Sequence, residues 1–351
     1  MINMKEHDLK NKKVMVTGGA GFIGSTLVRE LLKEGARPIV FDIFSSGDMR
    51  NLKGLEGRIK IIKGDITHKG FRQVLEKNDV EYVFNLAAEP YIPHCYNRPL
   101  RFFEVNANGA INVLFASKHA GVKRIVQYSS SEVYGSAKYV PMDELHSTLP
   151  LSTYAVSKLA ADRLCYTFYH EQKIPVVILR QFNVFGPRET HPYIVPEIIT
   201  QLSKGNKLKL GNIKSRRDLT FVEDAAKGAI ALMKSKGTDG QVFNLGTGKD
   251  WSVKEIAEIL GKLMGHKRIK IVLDKTRLRP LDVSVLKCDA SKIRRLTGWK
   301  PIVPMEDGLR KTIADFKSHG CKWIWETKIS AEKDVWRDKK DRLRKIDLDY
   351  K

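Results

Sequence analysis

Cysteine is scarce and scattered in this chain. Cys95, Cys165, Cys288 and Cys321 form no C-x-x-C pair, which argues against a disulfide framework or a zinc site and for free thiols in a reducing compartment. Long apolar runs are missing too: no stretch approaches the roughly 20 residues that a membrane-spanning helix needs. The opening Met1–Lys10 carries no apolar core of the secretory kind, so the expected location is the cytoplasm. Internal repeats and low-complexity tracts are also absent. With 42% hydrophobic and 29% charged residues over 351 positions, disorder and fibrous classes are excluded. Such a length holds one large domain or two small ones, because single cores rarely grow past about 250–300 residues.

Charge is abundant and one-sided, at +22. An excess of that size can signal nucleic acid, but here it is spread along the chain. Residues 1–200 carry 26 basic and 20 acidic side chains, and residues 201–351 carry 36 and 20. The balance points to a solvated surface and a charged tail, and a small anionic ligand held by the second half is the alternative. No nucleic-acid or membrane partner is expected.

Apolar, β-branched runs at 13–18, 38–42, 59–62, 82–86, 125–129 and 176–180 read as strands. Helical patterns lie between them, at 22–34, 102–119 and 153–172. Such alternation predicts an α/β fold, a Rossmann-type doubly wound parallel sheet. After residue 186 the rhythm changes: Pro187, Pro192 and Pro196 interrupt the chain before a helix at 198–203 and a strand at 207–210. We therefore expect a dinucleotide-binding domain over 1–186 and a smaller substrate-binding domain over 187–320, some of whose segments return to the first. A charged tail over 321–351 is expected to pack through Trp323, Trp325 and Trp336.

Glycines 18, 19, 21 and 24 sit between the first strand and the first helix, inside a βαβ unit. That context aims backbone N–H groups and a helix N-terminus at a pyrophosphate, with Gly18, Gly21, Phe22, Ile23 and Gly24 around it. Asp42 closes the second strand eighteen residues after Gly24. A carboxylate there accepts both adenosine ribose hydroxyls and repels a 2′-phosphate, and no arginine follows it, so NAD is the expected cofactor. Asp65 and Ile66 follow the third strand and would approach the adenine. The small residues after Leu86, Ala87 and Ala88, would admit the cofactor backbone.

Tyr-x-x-x-Lys occurs three times, at Tyr134/Lys138, Tyr154/Lys158 and Tyr169/Lys173. Only Tyr154 and Lys158 fall in the first turns of a long helix, where a spacing of four puts both on one face. An ammonium beside a phenol lowers its pKa and makes it a general base for an alcohol. The strand ending at Ser129 runs into Ser130, Ser131 and Glu132, where hydroxyls would open into the ligand crevice beside a second acid–base group.

The chain resembles the extended short-chain dehydrogenases/reductases, in the nucleotide-sugar epimerase/dehydratase branch. The resemblance is carried in order by Thr17–Gly24, Leu86–Ala88, Val105–Val113, Ser129–Gly135, Tyr154–Lys158, Arg180–Arg188, Arg216–Asp224, Phe243–Gly248 and Arg279–Asp282. It covers roughly residues 12–316. It implies that Tyr154 deprotonates a sugar hydroxyl, Lys158 tunes it and holds the nicotinamide ribose, and Ser130 steadies the hydroxyl while NAD takes the C4 hydride. It also implies Asn106 at the cofactor, and Asn183, Arg217 and Arg279 at the substrate diphosphate. No metal is implied, and a homodimer built on the 102–119 and 153–172 helices is.

Within the branch, Glu132 resembles the dehydratase pattern, in which a carboxylate removes the C5 proton after C4 oxidation and water leaves from C6. Ser131 departs from it, standing where one dehydratase subgroup has an aspartate. The resemblance thus implies a 4,6-dehydratase first. A 4-epimerase, then a uronic acid decarboxylase, stand as alternatives, and a non-catalytic NAD sensor is the reading from a different class.

Overall fold

The computed structural model describes residues 7–327. Six strands follow one another with crossovers: β1 (Lys13–Thr17), β2 (Arg37–Asp42), β3 (Lys60–Lys63), β4 (Tyr82–Asn85), β5 (Arg124–Ser130) and β6 (Val176–Gln181). Next, β7 (Asn183–Phe185), β8 (Lys207–Leu210) and β9 (Arg216–Phe221) leave this sheet, and β10 (Val242–Leu245) returns to it. The sheet has the order β3-β2-β1-β4-β5-β6-β10, and every pairing in it is parallel. Strand order reverses between β1 and β4, and a crevice opens there at the carboxyl ends of the strands.

Both faces of the sheet are covered, as its nearly continuous apolar strands require. On one side the helices Phe22–Lys33 and Val222–Lys234 bury Leu27, Val28, Leu31, Ala225, Ala229 and Leu232. On the other, Phe71, Leu75, Val113, Leu114 and Cys165 form a second core. A row of buried amides ties the strand ends together beneath the crevice. Thr17 Oγ1 donates to Asn85 Oδ1 at 2.5 Å, and Asn85 Nδ2 donates to Gln127 Oε1 at 2.7 Å.

The smaller unit is built on β9, flanked by β7, by β11 (Asp250–Ser252) and by β13 (Val285–Leu286). Beside it β8 pairs in parallel with β12 (Lys270–Leu273). β9 runs directly into the helix Val222–Lys234 of the large sheet, so the chain crosses between the units more than once. Trp323 is buried, tilts over Phe316 at 4.8 Å and donates from Nε1 to Thr200 Oγ1 at 2.7 Å. The start of the tail thus docks through tryptophan as expected, with Trp325 stacked on Trp323; Trp336 lies outside the described residues.

Two elements differ from the sequence reading. The 102–119 helix is instead a helix at Pro99–Phe103, a π-helical turn at Glu104–Asn108 and a helix at Gly109–His119. The helix expected to start at Ile198 begins at Ile194 and takes Pro196 into its first turn, where a missing N–H costs nothing. The free thiols are as expected: Cys95, Cys165 and Cys288 are buried and Cys321 is exposed. No helix among the described residues is long and apolar enough to cross a membrane.

Candidate active site

A cleft of about 430 Å³ follows the crevice from the glycine-rich turn to the smaller unit. Its first wall is the β1–helix turn. Gly18 adopts φ +67°, and a Cβ on Gly24 would fall 2.2 Å from the Gly18 carbonyl oxygen, so neither position tolerates a side chain. Helix Phe22–Lys33 starts at Gly21 with no side-chain cap and no acid in its first turn. Its free N–H groups and dipole are therefore available to an anion. Replacing Gly24 by Ala should weaken NAD binding at least about tenfold, read by fluorescence titration, because the carbonyl must move out of the turn; unchanged affinity would contradict this packing.

Asp42 is buried at the end of β2, where its carboxylate accepts from the N–H of Ala20 at 2.9 Å and of Phe44 at 2.7 Å. These bonds fix its oxygens at the cleft wall, and a Cβ on the facing Gly47 would come within 2.9 Å of them. Asp65, Ile66, Leu86, Ala87 and Ala88 line the same half of the cleft, together with Gly18, Gly21, Phe22, Ile23 and Gly24. Asp65 is itself braced by Thr67, whose N–H and Oγ1 donate to it at 2.8 and 2.9 Å. A closely approached backbone, free helix N–H groups and a held carboxylate are the fittings a dinucleotide needs.

Asn106 is buried behind the cleft lining, next to the lining residue Val105. Its side chain accepts from Glu89 N–H at 2.8 Å and donates to the Glu89 carbonyl and to Ser157 Oγ. Those bonds use both amide hydrogens and one of the two acceptor positions of Oδ1. Asn106 fastens the cleft-lining Glu89 to the helix that carries Tyr154.

At the middle of the cleft, β5 ends in Ser130, whose hydroxyl caps the short helical turn Ser131–Tyr134 by accepting from Glu132 N–H at 3.2 Å. Helix Thr153–Gln172, capped by Ser152, presents Tyr154 and Lys158 to the same space. Ser130, Ser131, Glu132, Tyr154 and Lys158 all line the cleft. The other two Tyr-x-x-x-Lys pairs do not: Tyr134 is buried against Asn244 and Arg180, and Lys173 is the left-handed cap of its helix. A buried Arg180–Asp162 pair at 2.8 Å and a Ser129–Asp162 hydrogen bond at 3.0 Å hold this helix to β5 and β6.

Burial outweighs every charge near the Tyr154 phenol. Burial pushes the Tyr154 phenol up to about 12, against a Ser130 hydrogen bond that lowers it, and the Glu132 charge adds to the rise. Lys158 Nζ donates instead to the Tyr128 carbonyl, and burial pulls its ammonium down to about 8. Without cofactor, then, the lysine serves the strand and desolvation governs both groups. Lysine ordinarily titrates at 10.5. Between about 8 and that value the unfolded chain binds the extra proton, so stability rises with pH across the window. Lys158→Met should flatten this rise in cofactor-free protein, by up to on the order of 3 kcal/mol. Melting temperatures from pH 7 to pH 10 check it, and parallel curves for the two proteins would contradict it.

Beyond Tyr154 the cleft is walled by aromatics. Tyr91 stacks on His191 at 5.3 Å, and Tyr193 meets Tyr91 edge-on at 5.7 Å. Arg217, Asn183 and Arg279 line the far side. Arg217 is buried on β9, 3.5 Å from Asp282; burial lowers its pKa, the Glu132 charge opposes this, and Arg279 adds to the lowering. Two guanidinium groups facing one space, only one of them held by a carboxylate, make a receptor for an anionic group. The aromatic wall went unread in the sequence, where this segment showed only the interruptions at Pro192 and Pro196.

This fold and this cleft define a dinucleotide-dependent enzyme of the extended short-chain dehydrogenase/reductase type. Residues 15–312 match the GDP-mannose 4,6 dehydratase family, and the chain belongs to it. It is 33% identical to a UDP-N-acetyl-alpha-D-glucosaminuronate decarboxylase of Bacillus cytotoxicus, over 87% of this chain and 98% of that one. It is 31% identical to a UDP-glucuronate 4-epimerase of Thermodesulfobacterium geofontis, over 85% and 94%. The crystal structure of a dTDP-glucose 4,6-dehydratase from Streptomyces venezuelae, with NAD bound, superposes with a TM-score of 0.82 at 29% identity, covering 89% of this chain and 99% of that one. The cofactor is NAD. Relatives at this distance carry three different reactions, so the choice among them rests on the cleft.

Proposed function

We propose that this chain is an NAD-dependent nucleotide-sugar 4,6-dehydratase, which oxidises C4, eliminates water across C5 and C6, and yields a 4-keto-6-deoxy sugar. The observation that carries the reading is the Glu132 carboxylate, buried in the cleft within electrostatic reach of both Tyr154 and Arg217. A reaction at C4 alone has no use for a second acid–base group at that point.

Asn183, Arg217 and Arg279 bind the diphosphate and leave the sugar against Tyr154, Ser130 and Glu132. Hydride acceptance from C4, and its later return, is the chemistry that bound NAD supplies. Ser130 hydrogen-bonds the C4 oxygen while Tyr154 takes its proton, and Lys158, one helical turn away, is the cation available to the resulting phenolate. The C4 carbonyl acidifies the C5 hydrogen, which Glu132 removes. The freed electron pair forms the C5–C6 double bond as the C6–O bond breaks, and Glu132 hands the proton to the departing hydroxyl, which leaves as water. The hydride is then added at C6, and C5 takes up a solvent proton that balances the one lost from O4. Ser131 cannot protonate the leaving group at neutral pH, so both transfers fall to Glu132.

The test offers UDP-GlcNAc, GDP-mannose, GDP-GlcNAc, dTDP-glucose and UDP-glucuronic acid and follows product mass. One of the first four should lose one water. An isomer of unchanged mass would favour the epimerase reading, and loss of carbon dioxide from the uronic acid the decarboxylase. The same reading includes a cytoplasmic homodimer: Leu100, Phe103, Val156 and Tyr166 are exposed apolar residues on the helices that would pair. Light scattering should return twice the chain mass.

A further inference from the structure

Arg188 joins two walls of the cleft from behind. It heads the segment Glu189–Tyr193, which lines the cleft and carries the aromatic wall. Its backbone is left-handed, with φ +66°, a conformation that a residue with a Cβ keeps only where its surroundings hold it. Three hydrogen bonds hold it. Its N–H donates to Asp315 Oδ2 on the helix Met305–Ser318 at 3.0 Å, its Nε to Ser25 Oγ at 3.3 Å and its Nη2 to Thr26 Oγ1 at 2.8 Å. Ser25 Oγ in turn donates to the carbonyl of Phe22, the first residue of the helix whose N-terminus is open to an anion.

The charge of Arg188 is poorly placed while that N-terminus is empty. Its side-chain partners are hydroxyls, and the carboxylates of Asp315, Glu223 and Glu30 act on it only as more distant charges. It lies against the early turns of a helix whose dipole disfavours a cation there. Arg29 is a second cation alongside, brought down to about 10 by burial and then by the Arg188 charge. We propose that Arg188 is a positioning residue that seats the segment Glu189–Tyr193 when NAD is bound, because an anion at the helix N-terminus makes this cation site favourable. Linkage then requires the seated segment to raise NAD affinity by the same factor. That the segment walls a sugar rests on the nucleotide-sugar reading, whereas the coupling needs NAD alone. A plain structural tie would hold the segment equally with and without the cofactor.

Hydrogen exchange read by mass spectrometry, on the full chain with and without saturating NAD, tests the coupling. Peptides over 22–33 report NAD binding and peptides over 188–193 report seating. In the native protein NAD should slow exchange over 188–193 by about tenfold, within the usual range of coupling between sites. Arg188→Met should lose this slowing and keep that over 22–33. Arg188→Lys keeps the charge without the fork and should retain part of it. Thr26→Val removes one acceptor at constant shape and should reduce it, and this variant decides the case if Arg188→Met fails to fold or to bind NAD. Equal slowing over 188–193 in the native protein and the deciding variant, none in the native protein, or complete loss in Arg188→Lys would overturn the proposal. Failure of every nucleotide sugar to react would remove the sugar from the wall and leave the exchange result standing.

Discussion

Tyr154→Phe lowers turnover by about a thousandfold or more, within the range that general acid–base catalysis contributes, while NAD remains bound. The aromatic ring survives the change, so its edge-on contact with Phe102 at 6.2 Å and the burial of the helix N-terminus persist. Only the oxygen beside Ser130 is lost, and with it the acceptor for the sugar proton. Stopped-flow reduction of NAD and an NAD titration together check the result. Turnover retained in the variant would contradict the role given to Tyr154, whereas NAD binding with no turnover in the native protein would support the non-catalytic NAD-sensing alternative.

Glu132→Gln separates the two halves of the reaction. The amide keeps the shape of the side chain and its backbone contact with Ser130, but it cannot take the C5 proton. Product formation should fall about a hundredfold or more, whereas C4 oxidation should still occur in a single turnover. Exchange of the C5 hydrogen with solvent deuterium, read by NMR, should disappear. An epimerase would tolerate this substitution, since inversion at C4 needs no proton abstraction at C5. Full activity in the variant would therefore favour that alternative.

Much of the large sheet was legible because parallel buried strands write themselves as apolar, β-branched runs. The helix Thr153–Gln172 and the strand Lys207–Leu210 fell at the expected residues. The π-helical turn at Glu104–Asn108 was not legible, since one extra residue in a turn leaves the apolar pattern of the flanking helix intact. From that turn the Asn106 side chain bonds the Glu89 loop. The short strands β7, β11 and β13 have two or three residues each, too few for any periodicity to show.

Within the site, the glycine-rich turn, Asp42 and the Ser130–Glu132 and Tyr154–Lys158 groups were readable because each depends on local spacing. The partner of Lys158 was not. Its choice of the Tyr128 carbonyl depends on how closely helix and strand approach, which no spacing encodes.

The central claim is that a hydride leaves C4 and comes back at C6 of the same sugar. A nucleotide sugar deuterated at C4, turned over in ordinary water and followed by NMR and mass spectrometry, tests it most directly. The account predicts loss of one water with the label found at C6 and a solvent hydrogen at C5. Label recovered at C4 of an isomer of unchanged mass would contradict it.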